Sequence, residues 1–287
     1  MIESGKDMNI EIIDDQVRWQ SIFKDRKAQY SYAGPFPFIV IDNFLNEEDA
    51  KLAASSFPQV DETSWTNYIH VNEKKYGLNK RESIPSSILK IINTLQSPEC
   101  LHSLTTLTGI SGLIADETLA GGGLHQMYRG GFLNIHSDFL IHPTKVNLKR
   151  RINFILFLST GWKDDYGGEL ELWDKDMTKC IQSVQPKFNR CVIFNTDEYS
   201  YHGCPERLNC PQHISRKTLA LYYYTEYAQS PQKQFTHYRA RPTDHNKLAI
   251  YLDNKAIAAY SWLKRKLNLN DEVVSLLLRL VKKRGNR

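Results

Sequence analysis

The sequence predicts an α+β fold with a mainly β core: a block of helices, a long series of short strands, then helices again. Three observations predict it. Apolar residues recur at helical spacing up to about residue 107. From Gly121 onward short apolar runs alternate with Gly, Asp, Asn and Pro. After Tyr227 a polar connector leads back into helix-like sequence. Strands collected behind a block of helices form an antiparallel sheet packed on those helices.

Residues 10–30 read as a helix of modest periodicity. Pro35 and Pro37 introduce Phe38-Ile39-Val40-Ile41, a strand ended by Asp42-Asn43. Asn46 is an N-cap, with Glu47, Glu48 and Asp49 set against the helix dipole and Leu52, Ala53 and Phe57 as the expected buried stripe. A second helical region opens near Ser83-Ile84-Pro85 and carries Ile88, Leu89, Ile91, Ile92 and Leu95. Pro98 is expected to interrupt it, with Leu101, Leu104 and Leu107 adding another turn or two. The strand-like runs are Leu124–Tyr128, Phe132–Ile135, Ile152–Leu158, Glu169–Trp173, Cys180–Val184, Cys191–Phe194 and Thr218–Thr225, with Gly167-Gly168 as a hairpin or bulge. A helix is expected over Asn254–Leu267. A last one opens at Asn270-Asp271-Glu272, is lined by Val274, Leu277, Leu278 and Val281, and closes at Lys282-Lys283-Arg284-Gly285. The organisation is a support region (1–120), a core (121–228) and a basic helical extension (229–287) within one structural domain.

A chain of 287 residues, 41% hydrophobic and 24% charged, can bury a sizeable core. Cys100, Cys180, Cys191, Cys204 and Cys210 are odd in number and irregularly spaced, which favours a reducing compartment over a disulfide framework. The first thirty residues hold no apolar stretch of signal-peptide length, and no segment approaches the roughly 20 apolar residues of a bilayer span. A cytoplasmic location is expected. The net charge of +5 is uneven: residues 229–287 carry 13 Lys and Arg against 4 Asp and Glu, and the rest of the chain is net negative. Such a tail can meet nucleic acid or anionic membrane. A solvated outer face on C-terminal helices is the simpler reading, so nucleic acid is not an expected partner. The apolar stripe of the last helix can bury against this domain or against a second copy, which leaves a homodimer open.

The sharpest chemical signal is His136-Ser137-Asp138 with His202 downstream. Residues i and i+2 of a strand share a face, so His136 and Asp138 can hold one metal, with His202 arriving from another strand. Two imidazoles and a carboxylate leave half of an octahedral sphere open, the ligand set of oxygen-activating Fe(II). The tripeptide alone is weak, and His142 is an alternative third ligand for a zinc site without redox chemistry. The other histidines read as ordinary surface or core residues, and Lys149-Arg150-Arg151 as a solvated charge run. Gly121-Gly122-Gly123 lacks the Gly-Lys-Ser/Thr of a phosphate loop.

The stretch from Gly123 to Thr225 resembles the prolyl 4-hydroxylase-like branch of the Fe(II)/2-oxoglutarate-dependent dioxygenases. Five blocks stand in the family's order: Tyr128 to Asp138, Arg151 to Leu158, Gly167-Gly168-Glu169-Leu170-Glu171-Leu172-Trp173, Asn189 to Phe194, and Ser200-Tyr201-His202-Gly203 leading to Arg216-Lys217-Thr218. The resemblance implies a double-stranded β-helix, or jelly roll, with supporting N- and C-terminal helices. It also implies hydroxylation of a C–H bond with release of succinate and CO2. The implied cofactors are Fe(II), 2-oxoglutarate as cosubstrate, O2, and ascorbate as a reductant. His136, Asp138 and His202 would be the iron ligands. Arg216 would pair with the distal carboxylate of 2-oxoglutarate, Thr218 on the same strand face would add a hydroxyl, and Tyr128 stands where the family often places a cosubstrate-contacting tyrosine. Phe157 replaces a tyrosine found in some relatives, and the fourteen-residue step from His202 to Arg216 is long, which brings Lys217 in as a rival anchor. Retention of Asp138 argues against halogenation. The competing reading is a non-redox, metal-holding jelly-roll binding module. Neither reading names the substrate, which can be a small molecule or a protein side chain.

Overall fold

The protein is described here by a computed structural model covering residues 18–61, 63–228 and 235–266, with side chains described to residue 259. Thirteen strands form one curled antiparallel sheet. They are β1 (Phe38–Ile41), β2 (Thr66–His70), β3 (Glu73–Leu78), β4 (Ile114–Ala115), β5 (Gly123–Met127), β6 (Phe132–Ser137), β7 (Leu148–Phe157), β8 (Leu170–Trp173), β9 (Cys180–Val184), β10 (Cys191–Asn195), β11 (His202–Cys204), β12 (Arg216–Glu226) and β13 (His237–Tyr238). The main path runs β1-β10-β7-β12-β5-β3-β6-β11-β8-β9. β12 is its spine, paired with β7 on one side and with β5 on the other. β3 pairs with both β5 and β6 and so joins the two halves. One cavity is lined from β3, β5, β7 and β12 and also from β6, β8 and β11, so the halves face each other as the layers of a jelly roll do.

Alternation along the central strands builds this arrangement. In β7, Ile152, Phe154 and Leu156 join the core shared with the helices, while Phe157 joins a second cluster with Leu170, Leu172, Val192 and Phe194 between the sheet halves. The helical layer comprises residues 18–25, α1 (Lys27–Ser31), α2 (Glu47–Ser55), α3 (Ser86–Leu95) and α4 (Pro98–Thr108). The Asn46 side chain caps α2 by accepting from the Asp49 amide at 2.8 Å, as its position in the sequence predicts. The buried stripe of α2 differs from expectation: Ala50, Ala53 and Ala54 are covered and Leu52 is 53% exposed, because the i, i+3, i+4 face that leads to Phe57 passes through the alanines. Pro98 begins α4 rather than interrupting a helix. At the first helical position its missing N–H removes no hydrogen bond, and Ser97 caps the helix through the Cys100 amide. The hairpin β2–β3 was not expected from the sequence. The C-terminal helix α5 (Lys247–Lys266) starts seven residues before Asn254. The helix expected after Asn270 lies outside the described residues. No helix among the described residues is long and apolar enough to cross a membrane.

The loop after β6 is tied down by a buried pair. His142 Nε2 lies 3.1 Å from Asp116 Oδ1, and its Nδ1 accepts from the Thr144 and Lys145 amides at 3.2 and 3.0 Å. His142 is therefore committed to Asp116, away from His136 and Asp138, and the zinc alternative built on it fails. Burial would raise the Asp116 carboxyl, but His142, Thr118 and the Ala120 amide outweigh burial and bring its pKa to about 2. A carboxyl depressed in the folded state stabilises above its unfolded pKa of about 3.9 and loses that contribution as pH falls. Asp116→Asn is therefore expected to lower stability by about 1–3 kcal/mol at pH 6, with the gap to the parent protein narrowing between pH 4 and pH 2. Urea titrations at several pH values check this.

Candidate metal site

Alternation along β6 and one cross-strand pairing assemble the site. In β6, residues 132, 134 and 136 alternate with 133, 135 and 137, and His202 of β11 stands directly opposite His136. The imidazole centroids are 4.5 Å apart, and Asp138 follows just past the end of β6. His136 Nε2 lies 3.6 Å from Asp138 Oδ1 and His202 Nε2 lies 3.4 Å from Asp138 Oδ2. One donor atom from each residue falls within 4.8 Å of the others, and all three side chains are buried. A shared cation suits such a grouping of three donor atoms.

The surroundings prepare these atoms for a metal. His136 Nδ1 pairs with the Asn134 carbonyl at 2.9 Å and His202 Nδ1 with the Ser200 carbonyl at 2.9 Å. A carbonyl only accepts, so each Nδ1 carries the proton and each Nε2 lone pair is turned inward. Burial pushes the His202 pKa down to about 4, which keeps the ring neutral at pH 7. For Asp138, burial acts upward, but Arg150 and His202 outweigh it and hold the carboxyl well below its usual range. Asp138 Oδ2 accepts from Asn153 Nδ2 at 2.7 Å and faces Arg150 at 3.1 Å. Two imidazole nitrogens and a carboxylate oxygen in this grouping fit Fe(II) with open positions, as the donor set requires.

The cavity of about 240 Å³ beside this cluster runs along β12, where Arg216, Thr218, Ala220 and Tyr222 point inward at every second residue. At one end the Arg216 guanidinium is buried, with Nε donating to the Gly168 carbonyl at 2.8 Å and the Phe157 ring 4.9 Å away. Among the described residues Arg216 makes no ion pair. Burial lowers its pKa, with Glu169 acting against burial only through space, yet a guanidinium stays charged, so this end of the cavity can take an anion. Lys217 points to the other face, where its amide bonds Ser159 Oγ and its ammonium lies 5.4 Å from the Phe57 ring. Strand parity thus selects Arg216 over Lys217.

At the other end stand Tyr222, Phe139 and Tyr238 of the jelly roll and its edge, and Tyr68, Glu73 and Lys75 of the hairpin. Burial would raise the Glu73 carboxyl, but Lys75 at 3.0 Å and His70 at 2.8 Å outweigh it and hold it well below the usual range. The expected site residues His136, Asp138, His202, Arg216 and Thr218 all line this cavity. Tyr128 does not. It follows Gln126 on the opposite parity from His125 and Met127, its hydroxyl accepts from Gln126 Nε2 at 3.0 Å, and its ring packs edge-on to Tyr76. Arg150 was read as part of a solvated run, yet it is 1% exposed and lies flat on the Tyr222 ring at 3.3 Å. Plain alternation would set Arg150 on the helix-facing side with Ile152, Phe154 and Leu156. The register against β12 shifts at Arg151, however, Tyr223 pairing Ile152 and Tyr224 pairing Arg150, and this turns Arg150 into the cavity beside Asn153.

Residues 122–224 match the family model of the 2OG-Fe(II) oxygenase superfamily. The prolyl 3-hydroxylase OGFOD1 of Mus musculus is 28% identical over 131 residues, which are 43% of this chain and 23% of that protein. The chain thus matches less than a quarter of that relative's length. Among solved structures, a prolyl 4-hydroxylase from Phytophthora capsici superposes with a TM-score of 0.52 at 21% identity, over 94% of this chain and 87% of that one, which shows a shared fold.

Gly203, between His202 and Cys204, offers a direct test of the cross-strand geometry. A Cβ there would stand 2.8 Å from the Leu133 carbonyl oxygen and 2.9 Å from that of Asn134. Gly203→Ala is expected to part β11 from β6 and weaken Co(II) binding about tenfold or more, the scale at which ligand orientation affects metal sites. A calorimetric titration with Co(II) measures it.

Proposed function

We propose, for a chain whose residues 122–224 belong to the 2OG-Fe(II) oxygenase superfamily, that it is an Fe(II)- and 2-oxoglutarate-dependent dioxygenase hydroxylating an aliphatic C–H bond. The observation that carries this reading is the buried pairing of two unlike centres in one cavity: a His-Asp-His donor cluster and a guanidinium without a counter-ion. His136, Asp138 and His202 hold Fe(II). Arg216 and Thr218 take the distal carboxylate of 2-oxoglutarate, Arg216 through the fork of N–H donors that its Nε bond to Gly168 leaves free. When bound, the metal and cosubstrate supply the redox chemistry, in which substrate C–H, O2 and 2-oxoglutarate become C–OH, succinate and CO2.

The protein's own part is orientation and exclusion of water. Asn153 and Arg150 fix the Asp138 carboxylate from one side. Phe157 and Phe194 back Arg216 and His202 with apolar surface. Tyr68, Phe139, Tyr222 and Tyr238 present aromatic walls in which every charged neighbour already has a partner, so the reacting group is uncharged. A prolyl side chain is the substrate class we favour, since the similar proteins from Mus musculus and Phytophthora capsici are named prolyl hydroxylases. Ascorbate is assigned the role of external reductant and no binding residue. The five cysteines are all free, in keeping with a cytoplasmic setting. A non-redox binding module would be indifferent to Arg216, and nothing in such a module calls for a buried, uncompensated guanidinium.

Protein supplied with Fe(II), 2-oxoglutarate and prolyl-containing peptides is expected to release succinate, with His136→Ala as the blank. Absence of succinate above that blank, together with absence of a visible absorption band requiring both Fe(II) and 2-oxoglutarate under anaerobic conditions, would sink the reading. Loss of a charged hydrogen-bond pair costs about 1.5–3 kcal/mol. Arg216→Ala is therefore expected to raise the KM for 2-oxoglutarate by about tenfold to a hundredfold, with Lys217→Ala near the parent value.

A further inference from the structure

The metal-bearing strand β6 is covered on its outer edge by two segments that lie outside residues 122–224. β3 pairs with its first part, Lys74 opposite Phe132 and Glu73 opposite Leu133. Where β3 turns away, β13 takes over, with Tyr238 opposite His136 and His237 opposite Ser137. Between them sits Asn72, fully buried, whose carbonyl accepts from the Asn134 amide at 2.8 Å and whose Oδ1 accepts from Asn134 Nδ2 at 3.0 Å. Asn134 is in turn the residue whose carbonyl receives His136 Nδ1.

Both covering segments end on two adjacent residues of α5. Asp253 Oδ2 accepts from Asn72 Nδ2 at 2.5 Å and lies 3.2 Å from His70 Nδ1. Asn254 grips the backbone of Tyr238 from both sides, Oδ1 accepting from its amide at 2.9 Å and Nδ2 donating to its carbonyl at 2.7 Å. The Tyr238 ring packs between the rings of His136, at 5.5 Å, and His70, at 5.8 Å. An unbroken series of hydrogen bonds therefore runs from Asp253 through Asn72 and Asn134 to the metal-facing imidazole, and a second clamp sets the ring beside it.

We propose that Asp253 and Asn254 of α5 are positioning residues for the metal site: Asp253 orients His136 through Asn72 and Asn134, and Asn254 holds Tyr238 against His136. Neither residue lines the cavity, and both act through others. The inference rests on the reading of His136 as a metal ligand. In physical terms Asn72 has a limited set of donors and acceptors, all committed. Its amide hydrogens can only be satisfied with its Oδ1 turned to Asn134 if an acceptor stands at Asp253. Without that acceptor the amide can rotate, Asn134 Nδ2 loses its partner, and Asn72 holds the segment that presents the carbonyl to His136 through its backbone carbonyl alone.

The test uses the full chain and Co(II) alone as probe. Asp253→Ala and Asn254→Ala are expected to keep thermal midpoints within a few degrees of the parent protein. Asp253→Ala should weaken Co(II) binding about threefold to tenfold and alter the visible ligand-field spectrum of the bound ion, while Asp253→Asn, which retains an acceptor, restores most of both. Asn254→Ala should leave Co(II) affinity within about twofold and raise substrate-free succinate release about fivefold. His245→Ala, at a residue outside the cavity and the relay, is the control. If the folded Asp253→Ala variant shows the parent Co(II) affinity and spectrum, the positioning role is overturned. If the parent protein itself binds no Co(II), the metal-site reading fails instead, so the two failures are distinct.

Discussion

The register of β11 against β6 is the constraint on which the site depends. His202 stands opposite His136, and a slip of one residue would turn one imidazole out of the cavity while leaving the other inside. The register is enforced by close approach. Gly203 lets the two backbones come near enough that no Cβ fits between them. The ring of His202 is wedged against Phe194 at 4.7 Å, which links the ligand strand to the opposite half of the sheet. Packing of the two sheet halves, made by Phe157, Leu170, Leu172, Val192 and Phe194, thus doubles as the scaffold that sets donor spacing. Core and site are one structure here, because the jelly roll has only one interior.

Charge is then distributed so that the interior is nearly neutral except where a ligand must enter. Asp138 is matched by Arg150, and Glu73 by Lys75 and His70. Moving an ion from water into a protein interior costs several kcal/mol unless it is paired. Arg150 meets that cost with a carboxylate, the Asn153 amide and the face of Tyr222. Arg216 has one backbone carbonyl and an aromatic ring, and no carboxylate. Its charge is met by Glu169 only through space, so Arg216 is the less compensated of the two buried guanidinium groups.

Much of this was legible in the sequence, and what was not follows a pattern. The strands from Leu124 to Thr225 were readable because each is a short apolar run bounded by turn residues, and the fold class followed from their order. The hairpin β2–β3 was not, since Thr66–His70 and Glu73–Leu78 are largely polar and satisfy their charges only with one another and with α5. Arg150 was hidden for a different reason: a run of three basic residues looks solvated, and the register shift at Arg151 that turns Arg150 into the cavity leaves no mark in the alternation of β7. Tyr128, by contrast, follows plain strand parity. Its place in the motif suggested the cosubstrate, yet parity on β5 sends His125 and Met127 inward and Tyr128 outward. Position within a motif and position on a face are separate facts, and only the second decides contact.

The elements least visible in the sequence are also those that close the cavity opposite Arg216. Strand β6 would be an open edge beyond Leu133 if β13 did not pair with it, and an exposed edge invites pairing with another chain. Covering the edge with a strand from outside residues 122–224 removes that hazard and places Tyr238 beside His136 in the same step. The hairpin does the same at the other end of β6, bringing Tyr68 and Lys75 over the cavity. Residues 122–224 therefore hold the His136, Asp138 and His202 cluster and the buried Arg216. The hairpin and the β13–α5 segment supply the wall that a substrate must fit. That wall and the hydrogen-bond series to His136 share one anchor on α5, while Tyr68 and Lys75 face the cavity from the hairpin. A common oxidative centre can in this way be directed to different C–H bonds by segments that lie apart from it in the chain.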